Sequence, residues 1–103
     1  MKLWLDDIRP APNGWIWCKN SVEFLAYENL VAFMNGEIEK ISFDHDLGDD
    51  DLNGYQIICE LEQVVYAAEM YRRDLPEFHI HSANPVGRRN IQRAIDNIHR
   101  LAL

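Results

Sequence analysis

The sequence predicts an α/β fold with a small, mostly parallel sheet. Three long helical patterns alternate with short apolar segments, the order expected of βαβ units. Polar and ionisable residues close those apolar segments, and in open parallel sheets ligands gather at the carboxyl ends of the strands. A chain of 103 residues has room for one core, so residues 1–103 read as a single α/β domain.

Lys2 to Asp6 is the first predicted strand, Trp15 to Cys18 a weak second, Lys40 to Asp44 a third and Phe78 to Ser82 a fourth. The connection between the first two is short, and a parallel crossover normally takes a dozen or more residues. Trp15 to Cys18 therefore reads as an edge segment, antiparallel or irregular. Pro10 and Pro12 stiffen that connection and Asn13-Gly14 supplies a turn.

The first helix is predicted from Ser21 to Met34. Asn20 with Glu23 three residues on makes a capping-box pattern, and Asn35-Gly36 offers a left-handed stop. The second spans Asn53 to Arg73, with Ile57, Leu61, Val64, Ala68 and Tyr71 on one stripe before Pro76. The third runs from Pro85 to Leu101, with Asn84 as N-cap, Pro85 at the first helical position and Ile91, Ala94, Ile95, Ile98 and Leu101 facing inward.

The formal net charge of −7 repels a phosphate backbone, which excludes duplex nucleic acid as a partner but leaves room for a small phosphorylated ligand in a local basic pocket. No long apolar run, leader pattern or membrane span is present, so a cytoplasmic protein is expected. Cys18 and Cys59 lack metal spacing and read as reduced.

The strand ends carry the chemistry. They are Asp6 and Asp7, then Asp44, His45 and Asp46, then His81, Ser82 and Asn84. Converging carboxylates repel, so their gathering implies a shared proton or a cation. Oxygen ligands of this kind suit Mg²⁺ or Mn²⁺, with Asp6, Asp7, Asp44 and Asp46 as candidate ligands. His45 and His81 put two groups titrating near neutrality at the same end of the sheet, a proton donor and a proton acceptor. Ser82 and Asn84 open a helix whose free amides favour an anion, and Arg88, Arg9 and Lys19 add positive charge. Asp49-Asp50-Asp51 reads as a solvated loop leading to a helix cap.

These residues resemble the cyclic-phosphate-processing receivers, short relatives of the response-regulator receiver fold. The resemblance rests on Leu3-Trp4-Leu5-Asp6-Asp7-Ile8-Arg9-Pro10, Gly14-Trp15, Ser42-Phe43-Asp44-His45-Asp46-Leu47-Gly48, Asn53-Gly54-Tyr55 and Ile80-His81-Ser82-Ala83-Asn84-Pro85-Val86-Gly87. It implies a truncated receiver, flavodoxin-like three-layer fold. It also implies that Asp6 and Asp7 hold Mg²⁺, that Asp44 stands where receivers accept phosphate, and that Ser82 contacts the phosphate. A fifth strand with its lysine is not expected, which argues against phosphorelay signalling. His45 and His81 are implied as the acid/base pair acting on a cyclic phosphate.

The expected function is thus a metal-dependent phosphoesterase that binds and opens a cyclic phosphate or cyclic nucleotide. Two alternatives remain open. One is a binding module that sequesters such a ligand without cleaving it, as a viral anti-defence protein would. The other is a truncated receiver that serves only as a protein-interaction domain.

Overall fold

A computed structural model describes residues 1–48 and 51–103. Its elements in chain order are β1 (Lys2–Leu5), β2 (Ile16–Cys18), α1 (Ser21–Phe24), α2 (Tyr27–Met34), β3 (Lys40–Phe43), α3 (Gly54–Ala67), a 3₁₀ turn at Arg72–Asp74, β4 (Glu77–Ile80) and α4 (Pro85–Leu101). The four strands form one sheet in the order β2-β1-β3-β4, and every pairing is parallel. This is the flavodoxin-like order through its fourth strand, with the switch point between β1 and β3.

β2 is an edge strand, as expected, but it runs parallel to β1 with Leu3 opposite Ile16 and Leu5 opposite Cys18. The expectation of an antiparallel or irregular segment was wrong because reach, not helix length, sets the limit. The segment from Leu5 to Ile16 spans roughly 35 Å when extended, whereas retracing β1 takes roughly 13 Å. A helix-free loop is long enough, and Trp15 N–H bonding Pro12 O at 3.1 Å folds its far end.

The helix expected from Ser21 to Met34 is two helices, broken at Leu25 and Ala26. Phe24 and Phe33 are both buried, yet on one continuous helix they would lie about half a turn out of phase. The break turns both inward. Asn29, itself buried, donates its Nδ2 to Glu23 O at 3.0 Å and Phe24 O at 3.2 Å, taking carbonyls that the break frees. The cap at Asn20 is present, with Glu23 N–H donating to its Oδ1 at 2.9 Å. Gly36, at φ 72°, ends α2 as predicted.

α3 stops at Ala67, ahead of the predicted end at Arg73. Glu69 takes a left-handed φ of 51°, and the N–H groups of Glu69 and Met70 bond Tyr66 O at 3.2 Å and Val65 O at 3.1 Å, closing a Schellman motif. That turn buries Met70 and leaves Ala68 and Tyr71, predicted on the inward stripe, exposed. Ile57 and Leu61 of that stripe are buried as predicted, and Ile58 and Val65 complete the buried face. α4 has its predicted bounds, although Leu101 is exposed and Ala102 takes the buried place. The core gathers Leu3, Leu5, Ile41 and Phe43 from the strands with the buried faces of the helices. No helix among the described residues is long and apolar enough to cross a membrane. Both cysteines are free, and burial pushes the Cys18 thiol up to about 11.

Candidate functional site

Strand register builds the site. Leu5 pairs with Phe43 and Phe43 with Ile80, so Asp6, Asp44 and His81 follow in one row at the carboxyl ends. The ladder continues one step into that row, with Asp6 N–H on Cys18 O at 3.1 Å, Asp44 N–H on Leu5 O at 2.9 Å and His81 N–H on Phe43 O at 3.0 Å. Strand alternation then puts Trp4 and Ser42 on the same face, one level deeper.

Oxygen atoms of Asp6, Asp7 and Asp44 lie within 4.8 Å of one another. They border an open cleft of about 380 Å³ whose lining also includes Ile8, Arg9, Asp46, Gly48 and Ala83. Asp6 is buried and fully engaged. Its Oδ1 accepts the N–H groups of Ile8 at 2.9 Å and Arg9 at 2.8 Å, and its Oδ2 meets Arg9 Nε at 3.0 Å and His81 Nε2 at 3.1 Å. Burial alone would raise the Asp6 carboxyl, but the two backbone N–H groups, the Arg9 charge and His81 together hold it below its usual value. Asp44, also buried, accepts His45 N–H at 2.8 Å and faces Arg9 Nη2 at 3.6 Å.

The donors are three carboxylates and a cation already sits among them, the Arg9 guanidinium. Charge and donor chemistry both fit a hard divalent ion of the Mg²⁺ or Mn²⁺ type. Asp46, expected as a further ligand, borders the cleft but lies outside the triad, and its Oδ1 pairs with His45 Nδ1 at 2.9 Å. Asp51 serves α1, accepting Ser21 N–H at 2.8 Å together with the Ser21 hydroxyl. Asp49 and Asp50 lie outside the described residues.

His81 is held at both ring nitrogens and on one face. Its Nδ1 lies 2.7 Å from Ser42 Oγ, its Nε2 on Asp6, and its ring stacks on Trp4 at 3.8 Å between centroids with planes 3° apart. Burial lowers the imidazole below its usual value, while the Asp6 bond and the charges of Asp6 and Asp44 pull it the other way. His45 does not border the cleft. Its ring lies against Gly87 in the first turn of α4, where an added Cβ would come within 2.4 Å of the ring. Gly54 makes a similar approach, since a Cβ there would stand 2.1 Å from Asp44 O. These two glycines let α3 and α4 start directly against the Asp44-His45 segment.

Of the expected anion-binding residues, Arg9 alone borders the cleft among the described residues. Ser82 is buried and its Oγ accepts Asn84 N–H at 3.1 Å, while Asn84 Oδ1 caps α4 by accepting Gly87 N–H at 3.0 Å. Arg88 Nη1 donates to Ile80 O at 3.2 Å and Ser82 O at 3.1 Å. The Lys19 ammonium stands 4.6 Å over the Trp17 ring. Sequence reasoning missed Ser42 and Trp4. The signal for Ser42 was a hydroxyl inside the apolar run Ile41-Ser42-Phe43, because a buried hydroxyl needs a partner.

The family model described as cyclic-phosphate processing Receiver domain matches residues 1–97. No curated protein and no solved structure matches the chain.

Proposed function

The chain belongs to the cyclic-phosphate processing receiver family, and from that premise we propose that it is a metal-dependent phosphoesterase that opens a cyclic phosphate or cyclic nucleotide. The observation that carries this is the Asp6, Asp7 and Asp44 triad at the β1/β3 switch point, with an arginine already bound to it. Asp6, Asp7 and Asp44 would hold Mg²⁺ or Mn²⁺, which would supply charge neutralisation to the phosphoryl oxygens. Arg9, which borders the cleft, pairs with the phosphate. Water attacks phosphorus and the ring P–O bond breaks, with His45, whose Nδ1 is paired with Asp46 Oδ1, as the group that relays the proton from the water to the leaving oxygen. His81 acts with it through Asp6, whose carboxylate it orients. The reduced thiols fit a cytoplasmic setting.

Sequestration without cleavage has one observation in its favour. Both ring nitrogens of His81 are spent on Ser42 and Asp6, and His45 does not border the cleft, so neither imidazole stands free beside it. A thermal-shift screen against cyclic mono- and dinucleotides, with and without Mg²⁺, tests the shared site. A ligand-dependent rise that needs Mg²⁺ supports it, and no response to any cyclic phosphate sinks it.

A further inference from the structure

We propose that Arg9 is a tethered counter-cation that a divalent ion displaces from Asp6 and Asp44, and that its release presents the guanidinium to the ligand's phosphate. The proposal rests on the assignment of the cleft as a metal site and adds how that site is regulated.

Every acceptor position of Asp6 is filled, two by backbone N–H groups and one each by His81 and Arg9. Arg9 is also the partner of Asp44 Oδ2. An incoming ion that takes oxygens from both carboxylates must therefore break the Arg9 contacts. The guanidinium is the group that can yield, because the Arg9 side chain is 52% exposed whereas His81 is clamped between Trp4, Ser42 and Asp6. Its backbone need not move. Arg9 N–H stays on Asp6 Oδ1 at 2.8 Å and Arg9 O on Trp4 Nε1 at 2.9 Å, so the side chain pivots from a fixed base.

The consequence is a change of sign in the cleft. With Arg9 bound inward, its Nε is on Asp6, its Nη1 on His81 O at 3.3 Å and its Nη2 faces Asp44, so the carboxylates repel an anion while the guanidinium is engaged with them. With an ion seated on the carboxylates, the released guanidinium offers the paired N–H geometry that phosphate takes. Ion and phosphate then favour each other, and the coupling is reciprocal.

Mn²⁺ binding followed by electron paramagnetic resonance, with and without inorganic phosphate, tests this in the wild-type chain, Arg9→Gln and Arg9→Ala. Both variants should bind Mn²⁺ about tenfold tighter than wild type in the absence of phosphate, the equivalent of one competing charge-assisted hydrogen bond removed. Phosphate should tighten Mn²⁺ binding to wild type and leave the variants unchanged. Equal or weaker Mn²⁺ binding in folded Arg9→Gln overturns the displacement while leaving the metal site intact. Absence of Mn²⁺ binding in all three chains overturns both the metal site and the displacement.

Discussion

The imidazole of His81 lies flat on the indole of Trp4, ring centroids 3.8 Å apart, while Trp4 Nε1 donates to Arg9 O. One aromatic side chain thus fixes the plane of the site's central histidine and the base of its arginine. Trp4→Phe keeps a ring under His81 but removes the indole N–H. It should cost about 1 kcal/mol, the net worth of a typical hydrogen bond. Trp4→Leu removes the stack as well and should cost more. Urea denaturation of the two variants beside wild type gives the order, and equal losses would mean that the stack contributes nothing.

Ser42 has a defined role beneath the site, holding His81 Nδ1 at 2.7 Å. Ser42→Ala leaves that nitrogen without its partner and should lower stability by about 1–3 kcal/mol. Nitrogen NMR shifts of the imidazole should move as well, because the Ser42 bond and the Asp6 bond together select the tautomer. An unchanged His81 spectrum would remove Ser42 from the site.

Acid should weaken the metal-free fold in two steps. His81 is held below its ordinary value of 6.5, mainly by burial. The unfolded chain therefore takes up protons at a pH where the folded chain does not. Stability contributed by the neutral ring is complete above that value and falls as the pH drops through it, levelling off below the folded-state value. Asp6 is held below 3.8 by its hydrogen bonds and Arg9, against the opposing effect of burial, so its contribution persists until the pH falls below that range. Urea titrations in chelator from pH 7.5 to 5 should show the first step, and His81→Gln should flatten it. A wild-type stability independent of pH across that window would contradict the assignment.

Close helix approach makes Gly54 and Gly87 sensitive positions. Alanine favours a helix by about 1 kcal/mol over glycine, but at Gly87 its Cβ would enter the His45 ring and at Gly54 it would strike Asp44 O. Overpacking of this kind costs about 1–3 kcal/mol. Both alanine variants should be less stable than wild type, with Gly54→Ala the worse because backbone yields less than a ring. A stabilised Gly87→Ala would show that His45 moves freely.

Much of this was legible because local rules and the global fold agree. Asn84-Pro85 opens α4 where cap chemistry puts it, and the strand ends deliver Asp6, Asp44 and His81 in one row. The parallel direction of β2 was not legible, because a helix-free crossover leaves no periodic signal. Nor was the break between α1 and α2, since Asn29 reads as an ordinary polar helix residue until its carboxamide is seen on the freed carbonyls. In the site, residue types announced a cation cleft, but which groups pair there depends on side-chain directions. Arg88 and Asn84, which looked like anion ligands, are tied to local backbone, and Arg9 lies in the cleft on the carboxylates.

Metal binding should appear as stability. A divalent ion that binds only the folded chain adds about 2.7 kcal/mol at a hundred times its dissociation constant, so the melting temperature should rise with Mg²⁺ or Mn²⁺ and return with chelator. Asp44→Asn should lose most of that rise while its metal-free form stays as stable as wild type or gains, since a repelling carboxylate is gone. A full Mg²⁺ response in Asp44→Asn would place the ion elsewhere.

Phosphorus NMR of cyclic nucleotides incubated with the protein and Mg²⁺ tests the central claim most directly, because ring diester and opened monoester give separate resonances. The wild-type chain should convert at least one cyclic nucleotide to its monoester, and should fail to do so in chelator. Asp44→Asn should fail even with Mg²⁺. Cyclic nucleotides left intact by folded, Mg²⁺-loaded wild type would contradict the phosphoesterase account.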